Sequence, residues 1–244
     1  MLVNSKELFK KAQEGHYAIP SANVLDMESI KYHVGVAQEL GLPLIVGVAE
    51  AHLGDNLTLE DAALVGKKYA DAASVPVVLH LDHGMSVETC KKAIDLGFTS
   101  VMIDASMKNF EENVAITKEV VEYAKAKDVS VEAEIGHVAS NFDENDTDAL
   151  YTTAEEAKKF CEESGCDSLA ISIGTAHGVY KAKAIPEISF DRLAEIHAAT
   201  DVPLVLHGGS GSGDDNLNRC AKEGISKVNI YTDLYLAAMA SADE

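Results

Sequence analysis

Short apolar segments rich in β-branched residues alternate with longer amphipathic segments along the whole chain. The short segments have the length and composition of buried strands. They predict eight strands, over residues 17–24, 43–49, 76–83, 100–105, 129–136, 168–174, 202–208 and 226–232. Apolar residues at helical spacing predict helices near residues 5–14, 26–40, 58–72, 86–96, 111–127, 153–164, 189–199 and 214–223.

Capping residues support several of these helix boundaries. Ser, Thr and Asp side chains can accept hydrogen bonds from the first helical N–H groups, and glycine is common just after a helix. Such residues stand before four predicted helices (Asp26, Thr58, Ser86 and Thr153), and glycines follow four (Gly41, Gly97, Gly165 and Gly224).

The order of elements predicts an α/β fold with a parallel sheet. Strands that are apolar throughout and alternate with helices are typical of parallel sheets covered by helices. Eight strand–helix repeats favour a (β/α)8 TIM barrel formed as a single domain by residues 1–244. An open doubly wound sheet is the alternative, but the first strand is not followed by GxGxxG. The chain ends at Glu244, inside the eighth barrel helix, which we expect to be cut short.

Composition narrows the possible partners and compartment. The formal net charge of −20 argues against nucleic-acid binding, because phosphates would be repelled. Four cysteines form no CxxC pair and the N-terminal segment lacks a signal-peptide core, which predicts reduced thiols in a cytoplasmic protein. No apolar run reaches the roughly 18–20 residues that cross a membrane, so we expect no membrane association.

Polar side chains stand at the carboxyl ends of several predicted strands. The third strand, VVLHLDHG over residues 77–84, ends in Asp82 and His83, although burying such groups is unfavourable unless they are paired or metal-bound. Other strands end in or near Asn23, Asp104, Glu134, His177, His207 and Asn229. In a TIM barrel these ends meet on the face that carries the active site.

Three of these residues are histidines from different strands. His83, His177 and His207 predict a catalytic Zn²⁺ site with an open fourth position, and Asp82 beside them predicts an acid/base carboxylate. Alternatively, the histidines only cap strands and bond loop carbonyls. The others are expected at the surface or in caps (His16, His33, His52, His137 and His197), whereas His80 shares a strand face with Asp82 and could orient it.

A glycine-rich loop, GGSGSG over residues 208–213, follows the seventh strand. Loops after strands seven and eight commonly bind phosphate in this fold, and Ser210, Asn229 and Thr232 could add donors there. Zinc, phosphate and a carboxylate together suggest retro-aldol cleavage of a phosphorylated ketone. The reaction would need no Schiff-base lysine; Lys227, the one strand lysine considered, stands near the start of its strand.

At this point the chain resembles the class II, zinc-dependent fructose- and tagatose-bisphosphate aldolases. The matching blocks span nearly the whole sequence: YAIPSANV, PVVLHLDHG, FTSVMIDAS, VSVEAEIG, DSLAISIGTAHGVYK, PLVLHGGSG and ISKVNIYTDL. The resemblance implies that the three histidines hold zinc and that Asp82 handles the proton of the substrate's C4 hydroxyl. It also implies that Asp104 and Glu134 bind a second or displaced metal ion.

The resemblance further implies cleavage of a ketose 1,6-bisphosphate, with fructose favoured over tagatose, to dihydroxyacetone phosphate and glyceraldehyde 3-phosphate. The dihydroxyacetone phosphate half would contact Gly178, Gly208, Gly209, Ser210, Asn229, Ile230, Tyr231 and Thr232, and Asn23 is a further substrate-binding candidate. Carbonyls near Gly178 and Gly208 would hold Na⁺ or K⁺. Members of this family are usually homodimers or homotetramers.

The sequence departs from the family pattern in the loop after the fifth strand, at Ala49, and at its carboxyl-terminal end, where the far-phosphate anchor is also missing. The loop GHVASNFDEND has Phe142 where the family has a proton-shuttling Glu, with Asp143 and Glu144 beside it. Ala49 replaces a serine that often contacts phosphate, and neither arginine, Arg192 or Arg219, stands at a strand end. The chain also stops some dozens of residues before most members. An aldolase for another phosphorylated sugar and a non-catalytic phosphosugar-binding subunit therefore stay open as alternatives.

Overall fold

Eight parallel strands close into a barrel in the computed structural model, which describes residues 1–136, 151–176 and 187–242. The strands follow one another around the barrel in chain order, and the last pairs with the first. They are β1 (Ile19–Asn23), β2 (Leu44–Ala49), β3 (Val77–Gly84), β4 (Ser100–Ile103), β5 (Ser130–Ile135), β6 (Ser168–Ile171), β7 (Leu204–Leu206) and β8 (Ile225–Ile230). The predicted TIM barrel is confirmed, and the open sheet is excluded.

Within the described residues, one helix precedes the barrel and one follows each strand. They are α1 (Lys6–Gly15), α2 (Met27–Leu40), α3 (Leu59–Ala72), α4 (Val87–Leu96), α5 (Phe110–Lys125), α6 (Ala154–Ser164), α7 (Phe190–Ala199), α8 (Asp214–Lys222) and α9 (Thr232–Ala242). A short 3-10 turn, Glu50–His52, lies between β2 and α3. None of the helices in the described part of the chain is long and apolar enough to span a bilayer.

The predicted capping residues account for the helix ends. Each of the four N-cap side chains accepts a hydrogen bond from the backbone N–H three residues further on: Asp26, Thr58, Ser86 and Thr153. Gly41, Gly97 and Gly165 end their helices with a left-handed backbone, which glycine adopts without strain.

Apolar residues fill the space between the sheet and the helices, and α1 closes the amino-terminal end of the barrel. Phe9 of α1 packs with Ile19, Ile45 and Val78, which lie near the starts of the first three strands. The opposite end of the barrel, where the strands finish, therefore holds the loops that build the site.

The interior of the barrel is more polar than the strand sequences predict. His80 of β3, Glu132 of β5 and Lys227 of β8 are at most 1% exposed. Glu132 and Lys227 lie on strands that are not neighbours, yet their charged groups are in contact, so this contact crosses the barrel interior. The apolar character of the strands thus belongs chiefly to the face that packs against helices.

Candidate metal and catalytic site

Strand ends bring most of the predicted site residues together. One ligand atom each of Asp82, His83 and His207 lies within 4.8 Å of the others, and the same holds for His83, Asp104 and Glu134. Two groups of possible metal ligands therefore share His83. They come from β3, β5 and the residues that follow β4 and β7.

Local backbone geometry aims His83 into this cluster. Its φ of 47° is in the left-handed region, which a residue with a Cβ seldom adopts. The pairing of β3 with β4 also shifts between Leu81 and Gly84, as in a β-bulge. Such irregularities redirect side chains and are frequent at functional sites, because packing around them must offset the strain.

Asp82 is 3% exposed and is held by two amides. Asn23 donates to Oδ2 at 2.8 Å, and Asn229 donates to Oδ1 at 2.9 Å. Burial would raise the pKa of Asp82, but charges on His83, His207 and Lys227 hold it well below its usual range. His80 lies 4.0 Å away and bonds to Ser100 and Lys227, so the asparagines, rather than His80, orient this carboxylate.

The tautomers of the two histidines follow from their carboxylate partners. A carboxylate only accepts hydrogen bonds, so His83 donates from Nδ1 to Asp104 at 2.8 Å and His207 donates from Nε2 to Glu132 at 2.9 Å. The remaining nitrogens, Nε2 of His83 and Nδ1 of His207, face each other at 2.8 Å. At this separation a proton on His83 Nε2 is donated to the lone pair of His207 Nδ1. A cation that replaced this proton beside Asp82 could be bound by both nitrogens, and the carboxylates behind them match the usual support of metal-bound histidine.

The acidic surroundings favour a proton on His83 when nothing else neutralises this site. Burial opposes the charged imidazolium, but Asp82, Asp104 and Glu134 outweigh it and raise the pKa of His83 to about 9. Burial would raise the pKa of Asp104, but the hydrogen bond and charge of His83, together with two hydrogen bonds from Ser106, hold it below its ordinary value. The cluster therefore attracts positive charge.

The predicted phosphate loop packs against the start of α9. Backbone N–H groups of Tyr231 and Asp233 both donate to Ser210 Oγ at 3.2 Å, and Gly211 N–H donates to the Asp233 carboxylate at 3.0 Å. These hydrogen bonds hold the loop against the start of α9 beside the strand ends, and they occupy all three of these N–H groups. Thr232 is the first residue of that helix, and Ile230 ends β8.

Two glycines of this loop leave no room for a side chain. Gly208 has a φ of 66°, and a Cβ there would lie 2.5 Å from the carbonyl oxygen of Ala176. A Cβ on Gly209 would lie 2.5 Å from Val228. Close packing of the loop backbone therefore explains both glycines.

Several predicted residues lie outside the described residues. They are His177, Gly178, His137 and the loop acids Asp143 and Glu144 together with Phe142. Both arginines lie in helices, where Arg192 packs over Tyr151 and Arg219 over Phe190.

Sequence reasoning missed His52. The prediction placed it at the surface or in a cap, but its ring contacts that of Tyr231, with centroids 4.5 Å apart and the planes tilted by 38°. Burial lowers its pKa, and the nearby charges of Asp82 and His83 also act on it. Its position three residues after β2 was the available signal, because the ends of all eight strands face the site.

Comparison with known proteins gives a consistent family relationship. The family model described as fructose-bisphosphate aldolase class-II matches residues 3–244. A fructose-bisphosphate aldolase of Staphylococcus aureus is 40% identical over 241 residues, which cover 97% of this chain and 83% of that protein.

Solved structures of aldolases are similar to this chain over nearly its whole length. The crystal structure of the YdjI aldolase from Escherichia coli K12 superposes with a TM-score of 0.89 at 37% identity, covering 100% of this chain and 86% of that one. The fructose-bisphosphate aldolase of Campylobacter jejuni gives a TM-score of 0.79 at 27% identity, covering 98% and 79%.

Proposed function

The chain belongs to the class II fructose-bisphosphate aldolase family, and from this premise we propose that it cleaves a ketose 1,6-bisphosphate reversibly with the help of zinc. Fructose 1,6-bisphosphate is the favoured substrate, and the products are dihydroxyacetone phosphate and glyceraldehyde 3-phosphate. The observation that carries the proposal is the convergence of His83 Nε2 and His207 Nδ1 beside the amide-held carboxylate of Asp82.

Zinc would be held by His83 and His207 together with His177, which lies outside the described residues. Asp104 and Glu134 offer an alternative position for a metal that keeps His83 as a ligand. When bound, zinc would polarise the substrate carbonyl and stabilise negative charge on its oxygen. Carbonyls near Gly178 and Gly208 are the candidates for a monovalent cation.

Asp82 would act as the acid/base at the C4 hydroxyl. Its two oxygens each accept one amide hydrogen bond, which leaves further lone pairs for a substrate hydroxyl. In the cleavage direction Asp82 accepts the hydroxyl proton, the C4–O bond becomes a carbonyl, and the electron pair of the C3–C4 bond stays on C3. In the condensation direction the same carboxyl group returns the proton.

The remaining contacts would bind the dihydroxyacetone phosphate half. The phosphate would meet Gly208, Gly209, Ser210 and the segment from Asn229 to Thr232, with Gly178 beside them. The Oδ1 atom of Asn229 is buried and has no hydrogen-bond partner among the described residues, so it is suited to accept a substrate hydroxyl. Asn23 would contribute through its bond to Asp82.

The first test is cleavage of fructose 1,6-bisphosphate and tagatose 1,6-bisphosphate by the purified protein, each with EDTA and with zinc restored. We expect cleavage that EDTA abolishes and zinc restores, with fructose 1,6-bisphosphate the better substrate. Cleavage that survives complete metal removal would overturn the zinc-dependent mechanism.

The second test is Asp82→Ala. Loss of a general acid/base costs roughly 10²- to 10⁴-fold in rate, so we expect kcat to fall by that range while zinc content stays at one equivalent. The matched control is Asp95→Ala, which removes an exposed carboxylate bonded to Tyr123. Normal turnover by the Asp82 variant would refute the assigned role.

One observation favours a second candidate, an aldolase for another phosphorylated sugar. Ala49 pairs with Asp82 at the barrel mouth but has no hydroxyl to offer a phosphate, and both arginines lie in outer helices. Condensation of dihydroxyacetone phosphate with a panel of aldehydes would decide between the substrates. A clear preference for glyceraldehyde 3-phosphate would exclude this candidate.

We expect the protein to form a homodimer or a homotetramer. Light scattering on the same preparation would measure its mass in solution and test this expectation.

A further inference from the structure

A line of buried polar groups runs beneath the candidate metal site. The Lys227 ammonium lies 2.7 and 2.8 Å from the two oxygens of Glu132, and Glu132 in turn accepts from His207 at 2.9 Å. On its other side Lys227 contacts Nε2 of His80 at 3.1 Å, and His80 Nδ1 bonds to Ser100 at 2.8 Å. All five side chains are at most 3% exposed.

The direction of each hydrogen bond in this line is fixed. An ammonium group only donates, so Nε2 of His80 must accept from Lys227, and its proton must be on Nδ1, which donates to Ser100. Lys227 also donates to Glu132, and Glu132 accepts the Nε2 proton of His207. Nδ1 of His207 consequently carries a lone pair on the side that faces His83.

We propose that Lys227 is a positioning residue for His207: through the buried Glu132 carboxylate it fixes the histidine tautomer and ring orientation that present Nδ1 to a metal ion. An ionised carboxylate in the barrel interior needs a charged partner, and Lys227 is the cation in contact with it among the described residues. Without the ammonium, the Glu132 carboxylate would have lost its charged partner in the barrel interior and would turn away from His207. His207 would then lose the acceptor that keeps its proton on Nε2.

This inference rests on the proposed function, because it assumes that His207 binds zinc. Its closest alternative is that the ion pair merely stabilises the barrel. The two differ in a double variant, because replacing both members of a buried ion pair by apolar residues commonly restores stability. That replacement leaves His207 without its acceptor.

The experiment compares three proteins: the wild type, Lys227→Met, and Lys227→Met with Glu132→Met. Zinc affinity is measured by competition with a chromophoric chelator, the visible spectrum of the Co²⁺-loaded protein reports ligand geometry, and urea unfolding of the metal-free protein reports stability. We expect the double variant to unfold near the wild-type urea midpoint but to bind zinc about 10- to 100-fold more weakly, as for other lost partners of metal-bound histidine. Its Co²⁺ spectrum should also change.

A double variant with wild-type zinc affinity and an unchanged Co²⁺ spectrum would overturn the positioning role. If Lys227→Met alone fails to fold, the double variant still decides the question. Should the double variant also fail to fold, Lys227→Gln provides the comparison, because its amide can still donate to Glu132 but carries no charge. Zinc affinity equal to the wild type would then refute the proposal. A wild type that binds no zinc would instead refute the proposed function.

Discussion

The buried imidazole of His80 makes the stability of the barrel depend on pH. Burial and the neighbouring Lys227 charge lower the pKa of His80 to about 3, whereas an unfolded histidine has a pKa near 6.5. Below pH 6.5 the unfolded chain therefore binds a proton that the folded protein does not. The free energy of unfolding should fall with decreasing pH, by up to about 1.4 kcal/mol per unit from this group.

Urea unfolding of the wild type and of His80→Gln between pH 7 and 5 tests this pH dependence. The free energy of unfolding should fall less steeply with decreasing pH in the variant than in the wild type. Glu132 does not confuse the result, because its pKa is lowered to about 2 and its own contribution is lost only at more acidic pH. Equal slopes in the two proteins would contradict the buried neutral state of His80.

Two thiols should be unreactive in the folded protein. Burial, with help from nearby carboxylates, raises the pKa of Cys90 and of Cys220 to about 12 each. At pH 8 about one part in 10⁴ of either group is thiolate, the form that reacts with alkylating reagents. Iodoacetamide labelling followed by peptide mapping should find both unmodified until urea is added. Labelling of either at the rate of a free thiol would contradict this prediction.

Residues at strand ends were predictable because one chemical signal, a polar group after an apolar run, marks them. Asp82, His83 and His207 carry that signal, and the structure brings them together. Glu132 and Lys227 also interrupt apolar strands, but the role of each depends on its contact with the other, which the sequence does not reveal. They meet only when the barrel closes, because they stand 95 residues apart on non-adjacent strands.

At the level of elements, a single hydroxyl determines how α3 begins. Thr58 Oγ1 accepts from the N–H of Asp61, and the Asp61 carboxylate accepts from the Thr58 N–H. Thr58→Ala should lower the free energy of unfolding by about 0.5–2 kcal/mol, as measured by urea denaturation. Thr58→Ser keeps the hydroxyl and should lose much less. Equal losses in both variants would show that the methyl group, rather than the cap, is what matters.

Strand positions were predicted better than strand ends. The pattern extends the sixth strand to residue 174 and the seventh over 202–208, but β6 ends at Ile171 and β7 spans only Leu204–Leu206. Hydrophobicity reports burial rather than pairing, and Ile173 is fully buried although it follows the last paired residue. Helix ends were closer to prediction, because capping residues mark them directly.

For the whole molecule, an anionic substrate would approach a protein of the same sign of charge. The chain carries 40 acidic and 20 basic residues, and the N–H groups of Gly211 and Tyr231 near the start of α9 already donate to Asp233 and Ser210. Local donors and a bound metal would therefore have to overcome long-range repulsion of a bisphosphate. The net charge also affects the stability of the folded protein, because like charges repel one another across the molecule.

A net charge of −20 should make the barrel more stable as salt is added at pH 8. The Debye length falls from about 30 Å at 0.01 M salt to about 10 Å at 0.1 M, which screens repulsion across the molecule. Salt also weakens exposed ion pairs such as Lys92–Glu60, but pairs that face solvent contribute little to stability. We therefore expect Tm to rise with NaCl, measured in EDTA to keep metal occupancy constant. Near the sequence pI of 4.7 the rise should vanish, and a Tm that falls with salt at pH 8 would show that ion pairs outweigh the repulsion.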